Sequence, residues 1–192
     1  MSNTTMSHRA FGAQGPDVPA WARAVCAGIR GAGSREIVYV PDNPLSSLLR
    51  VFADDYRDVR ATPATREEEA VGIAAGLYLG GARPTVMMQS SGLGNSLNAI
   101  ASLLVPYQIP VLFVMSMRGG PGEWNWAQVP LGRAVGSILG SLGIQHVEVD
   151  AAETAEAAVR AAGELAFGTR FPAACLLPRR LMTAAGPTQR IE

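Results

Sequence analysis

Three consecutive glutamates, Glu67, Glu68 and Glu69, precede the helical segment AVGIAAGLYLGG. Thr65, with Glu68 three residues later, fits a capping box, and carboxylates in a first helical turn complement the helix dipole. The segment that follows is apolar or small on all sides, which predicts a helix buried on nearly every face. A carboxylate on such a helix needs a hydrogen-bonding partner, because its pKa otherwise rises. Helical spacing alone does not say which glutamate meets this condition.

A second segment consists of Gln89 followed by SSGLGN, and it predicts a strand that runs into a glycine-rich turn and then a helix. Such a turn presents backbone N–H groups to an anion or a polar ligand. It matches neither the dinucleotide fingerprint GxGxxG nor a P-loop. The chain contains no lysine, which also excludes lysine Schiff-base chemistry. The alternative interpretation is that the glycines serve the geometry of the turn alone.

Two further loops follow predicted strands. In VPDNP at 40–44, Asp42 and Asn43 either cap a helix that starts near Pro44 or contact a substrate. The glycine-rich segment 117–126 carries two tryptophans and is a mobile lid, a subunit contact or a plain surface loop. Arg118 in this segment is a candidate to hold an anionic group of a substrate.

Elements that would position these residues alternate along the chain. Five mostly continuous apolar runs predict parallel strands at 36–40, 84–89, 110–116, 145–149 and 172–177. A weaker strand is predicted at 58–62. Helical periods separate them, so we expect an α/β fold with a doubly wound, about six-stranded parallel sheet and helices on both faces. Ligands bind at the carboxyl ends of strands in such sheets. We expect a lead-in at 1–17, one domain at 18–182 and a tail at 183–192.

Composition narrows the function classes. The sequence has 16 basic and 16 acidic residues, and the absence of a net charge or a basic block argues against a nucleic-acid partner. No apolar run approaches membrane-spanning length, which predicts a soluble, cytoplasmic protein with no membrane partner. Cys26 and Cys175 are predicted free thiols, and two histidines are too few for a histidine-rich metal site.

Four segments, taken together and in order, resemble the pyrimidine-binding (PYR) domain of thiamine-diphosphate enzymes. Within that family the sequence is most similar to the sulfopyruvate decarboxylase α subunit and the matching half of phosphonopyruvate decarboxylase. The resemblance covers about 18–180. It rests on VPDNPLSSLL at 40–49, EEEAVGIAAGLYL at 67–79, MQSSGLGNSLNAIASL at 88–103 and, more loosely, MRGGPGEWN at 117–125.

The resemblance implies site residues for the cofactor. In the family the activating glutamate lies nine positions before a helix glycine and three before a small residue, which matches Glu67 to Gly76 and Ala70. Glu67 would then hydrogen-bond N1′ of the aminopyrimidine and favour the imino tautomer that activates the cofactor. By the same resemblance, the cofactor's pyrimidine end is bordered by Pro41, Ser91 and Gly92, while Asn43 and Gln89 face the substrate, a 3-substituted 2-oxo acid.

A partner chain is also implied. The family binds diphosphate and Mg²⁺ through a second domain marked by GDG and a later asparagine, and this chain has no GDG. The resemblance therefore implies a β subunit that supplies the magnesium ligands, in an α2β2 or larger assembly. The sequence departs from the family at 127–129, where AQV stands in place of a histidine. Carboligation, a non-catalytic scaffolding subunit and a flavodoxin-like nucleotide-binding domain are the alternatives.

Overall fold

Six parallel strands form one sheet in the computed structural model, which describes residues 18–183. Their order across the sheet is β2-β1-β3-β4-β6-β5. All five strand pairs run parallel, so the predicted doubly wound α/β class is confirmed. The strands are β1 (Glu36–Tyr39), β2 (Arg60–Pro63), β3 (Pro84–Gln89), β4 (Leu112–Ser116), β5 (Gln145–Glu148) and β6 (Ala173–Leu177).

Helices connect successive strands and cover both faces of the sheet. They are α1 (Ala20–Gly31), α2 (Ser46–Asp55), α3 (Glu67–Leu79), α4 (Ser90–Ala99), α5 (Val129–Ser141), α6 (Ala152–Thr169) and α7 (Arg179–Thr183). A π-helical turn, Ile100–Leu104, continues α4, and a 3-10 turn, Trp126–Gln128, precedes α5. The predictions for 1–17 and for the tail beyond residue 183 lie outside the described residues.

Alternating strand side chains divide the core into two layers. Ile37 and Met87 contribute to the layer beneath α1, α2 and α6. Val38 and Met88, one residue further along the same strands, contribute to the layer beneath α3, α4 and α5. The central strands β4 and β6 are buried along their whole length, whereas the edge strands β2 and β5 are largely exposed. Continuous apolar runs are thus expected in the central strands.

Both cysteines lie inside this core. Burial raises the pKa of the Cys26 thiol above its usual range and that of Cys175 to about 12. Both side chains therefore stay neutral thiols at physiological pH and have no nucleophilic character. Within residues 18–183, no helix is both long enough and apolar enough to span a bilayer.

Replacing Gly163 by alanine is expected to destabilise the fold. A Cβ at this position in α6 would lie 2.4 Å from the Cβ of Ala32, next to the end of α1. The helices would have to separate, at a cost of about 1–3 kcal/mol. Gly168→Ala in the same helix is the control, because its Cβ meets nothing within 4 Å and should stabilise by up to about 1 kcal/mol. Urea unfolding measures both, and equal effects would contradict the prediction.

Candidate active site

The chain reverses its direction across the sheet between β1 and β3. From β1 it moves outward to β2, and it then returns to place β3 on the other side of β1. The loop after β1 and the start of α4 after β3 therefore diverge at the carboxyl edge and leave a crevice between them. Glu67 begins the helix that follows β2. The carboxyl edge thus carries all the residues predicted for the site.

Glu67 occupies the first position of α3 and lies against α4. A Cβ built on Gly92 would be 2.4 Å from Glu67 Cγ and 2.9 Å from its Oε1. Only glycine permits this approach, so the lack of a side chain at Gly92 allows Glu67 to pack closely against α4. Asn95, one helical turn after Gly92, donates from Nδ2 to Glu67 Oε2 at 2.7 Å. Within residues 18–183, Oε1 has no hydrogen-bond partner and is free to bind a ligand group.

Asn95 is itself fixed from the other side. Arg66 donates from Nη2 to Asn95 Oδ1 at 3.0 Å, which orients the amide so that its nitrogen faces Glu67. The same guanidinium pairs through Nε with Glu68 at 3.0 Å. Glu68, Arg66, Asn95 and Glu67 therefore form one chain of contacts between the start of α3 and the middle of α4. The half-buried Glu67 lies at its inner end.

The helix cap differs from the predicted capping box. Glu69 rather than Glu68 reaches back to Thr65, whose backbone N–H and hydroxyl donate to Glu69 Oε2 at 2.7 and 2.6 Å. Arg66 is the extended residue before the helix and makes no side-chain cap. The helix thus begins one residue later than a capping box of Thr65 and Glu68 requires. The Thr65 hydroxyl and N–H hold the pKa of Glu69 below its usual range.

Glu69→Ala is expected to lower the thermal unfolding midpoint in a pH-dependent way. A depressed folded-state pKa contributes stability that is present above the unfolded value, about 4.3, and is lost as the pH falls through the folded value. The difference in midpoint between wild type and variant should therefore be largest near neutral pH and narrow below about pH 4. Glu68→Ala is the control, because its exposed ion pair contributes little. A difference independent of pH would contradict this role of Glu69.

The predicted glycine-rich turn at SSGLGN is wrong. The helix α4 begins at Ser90, directly after β3, so Gly92 and Gly94 lie inside the helix. Gly94 accommodates Leu131, whose Cδ2 would lie 2.7 Å from a Cβ at that position. The glycines therefore serve close packing of α4 against Glu67 on one side and α5 on the other.

The prediction that α3 is buried on nearly every face is also wrong for this chain alone. Ala70, Val71 and Ala74 are buried beneath the helix. Gly72 and Gly76 are exposed, and a Cβ at either would meet nothing within 4 Å. Leu79 is 77% exposed at the end of the same helix. An apolar helix face made of small residues thus remains uncovered within the described residues.

The loop after β1 is fixed by the end of β4. Asp42 accepts hydrogen bonds from the Ser116 hydroxyl at 2.6 Å and from Arg118 Nη2. The Asp42 side chain is only 8% exposed and that of Arg118 22%. Helix α2 begins at Ser46 rather than near Pro44, and the backbone N–H groups at its start donate hydrogen bonds to backbone oxygens. Asp42 and Asn43 are thus not side-chain caps of this helix.

Arg118 is held through its backbone as well. Its N–H donates to the buried Ser90 hydroxyl at 3.1 Å, which ties the loop after β4 to the start of α4. A Cβ on Gly132 of α5 would lie 2.1 Å from the Arg118 carbonyl oxygen. The side-chain Nε is buried and has no hydrogen-bond partner in the described part of the chain. One donor of this guanidinium therefore remains unused.

Comparison with known proteins shows the family of this chain. The chain is 38% identical over 154 residues to the sulfopyruvate decarboxylase α subunit of Methanococcus maripaludis, a match that covers 80% of this chain and 92% of that protein. The chain belongs to the sulfopyruvate decarboxylase α-subunit family. A longer relative of this family, the phosphonopyruvate decarboxylase of Streptomyces viridochromogenes, is 37% identical over 155 residues. That match covers 76% of this chain and 38% of the relative.

A solved structure shares the fold of the chain described here. The 2-oxoglutarate:ferredoxin oxidoreductase of Magnetococcus marinus superposes with a TM-score of 0.70 over 85% of this chain and 29% of that one, at 17% identity. No family model matches the sequence.

The structure brings only some of the predicted site residues together. Glu67 and Gly92 are in contact, and Arg118 reaches the loop that contains Asn43. Pro41 and Asn43 are exposed, while Gln89 and Ser91 are half-buried on either side of the β3–α4 junction. All lie at the carboxyl edge of the sheet, but no hydrogen bond joins the side chains of Asn43, Gln89 or Ser91 to Glu67 within residues 18–183.

Sequence reasoning gave Asn95 no role at the site, and it left Asp42 open as either a helix cap or a substrate contact. Asn95 had a signal, since it lies three residues after Gly92 and therefore on the same face of α4. The contact of Asp42 with Arg118 had no signal in the sequence, because the two residues are 76 positions apart.

The segment predicted to depart from the family pattern, 127–129, lies where the loop after β4 enters α5. Trp124 and Trp126 are 82% and 83% exposed, and Gln128 is half-buried in the 3-10 turn. Asn125 caps that turn by accepting a hydrogen bond from the Ala127 N–H at 3.2 Å. The two indoles are thus available to contact another molecule.

Proposed function

We propose that this chain is the PYR-type α subunit of a two-chain, thiamine-diphosphate-dependent 2-oxo acid decarboxylase that acts on a 3-substituted pyruvate. The names of its relatives support the reaction and the substrate class. The observation that carries the mechanistic assignment is the placement of Glu67, which packs against Gly92 with one carboxylate oxygen bound by Asn95 and the other free.

Glu67 fits the group that this cofactor requires. Thiamine diphosphate, when bound, supplies the electron sink that receives the electron pair released as CO2 leaves the 2-oxo acid. The free Oε1 of Glu67 would accept a hydrogen bond from N1′ of the aminopyrimidine, and Asn95 keeps the carboxylate in place through Oε2. Glu67 would hold the proton at that ring nitrogen. Pro41, Ser91 and Gly92 would border the ring by virtue of their position at the edge of the crevice.

The substrate residues are assigned from the same edge of the sheet. Asn43 follows β1, Gln89 ends β3 and Arg118 follows β4. A small acid in the crevice would therefore be within reach of all three residues. Arg118 would hold the anionic substituent of the substrate through the exposed part of its guanidinium group, which Asp42 leaves unbound.

A β subunit would complete the active site. The relatives that match this chain over most of their length are named α subunits, and the longer relative extends well beyond the matched part. The uncovered face of α3, which includes Gly72, Gly76 and Leu79, offers a surface where another backbone could approach closely and exclude water from Glu67. We place the magnesium ligands on that subunit, in an α2β2 or larger assembly in the cytoplasm. Residues 18–182 act in it as one domain.

Reconstitution tests the proposal directly. The chain should be co-expressed with a candidate β subunit, and CO2 release should be measured from sulfopyruvate, phosphonopyruvate and pyruvate. We expect release that requires both chains, thiamine diphosphate and Mg²⁺, with the 3-substituted acids preferred. Cofactor binding without CO2 release, but with transfer to an added aldehyde, would indicate carboligation instead. An assembled complex that binds no cofactor would indicate a scaffolding subunit.

A further inference from the structure

A cavity of about 270 Å³ lies at the carboxyl ends of β4, β5 and β6, on the far side of Arg118 from β1. This volume is just below the range of roughly 300–1,000 Å³ that small-ligand sites occupy. The loop at Met117–Pro121, the start of α5 and the segment after β6 enclose it. Its charged lining consists of four arginines and one carboxylate, namely Arg118, Arg133, Arg179, Arg180 and Glu148. We call it the arginine cavity.

The four arginines are not equally engaged. Arg180 donates to both Glu148 and Asp150, so its charge is matched within the chain. Arg118 binds Asp42 through Nη2, and its buried Nε has no partner within residues 18–183. The guanidinium groups of Arg133 and Arg179 make no hydrogen bond or ion pair with any other described residue. The cavity is therefore lined by two guanidinium groups without an ion pair, beside the guanidinium of Arg118, whose side chain is still 22% exposed.

The backbone of Arg118, which lines the cavity, is held by two contacts. Ser90 and Gly132 fix the backbone of Arg118 from opposite sides, through a hydrogen bond of 3.1 Å and a contact that leaves no space for a Cβ. A donor whose backbone is fixed loses little conformational entropy when it binds a ligand.

One further carboxylate lies near these arginines. Glu123 accepts hydrogen bonds from the N–H groups of Asn125 at 3.0 Å and Gly119 at 3.4 Å. Burial acts to raise the pKa of Glu123, but these N–H groups and the charges of Arg179 and Arg118 outweigh it and hold the pKa below its usual range. Its oxygens accept hydrogen bonds from the loop backbone, so the charge of Arg179 acts on Glu123 without a direct ion pair between them.

We propose that the arginine cavity binds a tetrahedral oxyanion through Arg133, Arg179 and Arg118. Guanidinium groups present planar pairs of donors that match the oxygens of phosphate, phosphonate or sulfonate. The oxyanion is either the sulfonate or phosphonate on C3 of the substrate or free inorganic phosphate. Its assignment to the substrate rests on the proposed decarboxylase function, whereas binding of an oxyanion by this chain does not.

Titration calorimetry of the full chain with inorganic phosphate and with methylphosphonate, at low ionic strength, tests the binding. We expect saturable binding that is at least about tenfold weaker in the double variant Arg133→Ala/Arg179→Ala, since two charge-assisted contacts are lost. Both side chains are exposed or half-buried, and circular dichroism checks that the variant folds. Arg57→Ala removes one charge in the turn before β2, at the opposite edge of the sheet, and should bind like wild type. No saturable binding by wild type, or equal binding by the double variant, would overturn the proposal.

Kinetics of the complex with the β subunit distinguish the two sources. If the oxyanion belongs to the substrate, the double variant should show at least about a tenfold higher KM for phosphonopyruvate and sulfopyruvate, with an unchanged KM for pyruvate. If the oxyanion is free phosphate, these KM values should stay unchanged, and added phosphate should alter the rate of wild type alone. Because the calorimetry needs no enzymatic activity, failure of the decarboxylase assay would not be mistaken for failure of the cavity to bind.

Discussion

Glu67→Gln is expected to lower the rate of thiamine-diphosphate-dependent decarboxylation by about 10²–10⁴-fold, the usual contribution of a positioned acid–base group. Glutamine has nearly the same shape and can still accept a hydrogen bond from Asn95. It cannot carry the negative charge that stabilises a proton on N1′ of the cofactor. The loss should therefore appear mainly in kcat of the assembled complex and much less in the stability of this chain.

Glu68→Gln is the matched control for this prediction. Glu68 is the next residue of the same helical turn, but it is exposed and pairs with Arg66 at the surface. We expect the control to retain most of the wild-type rate. Steady-state CO2 release by both variants, with cofactor affinity measured separately by calorimetry, separates a loss of chemistry from a loss of binding. Wild-type activity in Glu67→Gln would refute the catalytic assignment.

Gly92→Ala should be almost as damaging, although it changes no polar atom. The added methyl group would lie 2.4 Å from Glu67 Cγ and 2.9 Å from its carboxylate, so the side chain or one of the two helices must move. A displacement of about 1 Å at a catalytic group can reduce the rate by about 10²-fold. We expect a loss of that order in kcat.

Gly94→Ala in the same helix separates this effect from a general effect on folding. Its Cβ would collide with Cδ2 of Leu131, the far end of a side chain that can change its rotamer. We expect a small change in the free energy of unfolding and a nearly normal rate. Urea unfolding and CO2 release should be measured on both variants. Equal rate losses in the two would show that Gly92 has no special role in positioning Glu67.

Much of the fold follows from local sequence patterns. The apolar runs at 84–89, 110–116 and 172–177 correspond to β3, β4 and β6, the strands that are covered on both faces. A strand in that position needs apolar residues at every place, so its pattern is visible without knowledge of its neighbours. The edge strand β2 has the pattern of a surface segment, and its predicted range began two residues too early.

The glycine-rich segment after β3 shows where local patterns fail. Closely spaced glycines favour a turn when only the chain itself is considered. In the fold they lie in α4, because Glu67 occupies the space next to Gly92 and Leu131 the space next to Gly94. Both neighbours belong to other elements, so the reason for these glycines lies outside their own segment.

Local sequence patterns were sufficient for the fold class, and they predicted the carboxyl edge as the location of the site and, through the family spacing, Glu67 as the residue to test. These properties depend on short-range periodicity and on motif spacing. The partners of these residues are visible only in the folded chain, where Asn95 binds Glu67, Asp42 binds Arg118, and Thr65 binds Glu69 rather than Glu68. The first two pairs join residues 28 and 76 positions apart. Which glutamate binds Thr65 depends on whether α3 begins one residue earlier or later. Such contacts depend on how the helices pack on the sheet, and this packing cannot be read from a local sequence pattern.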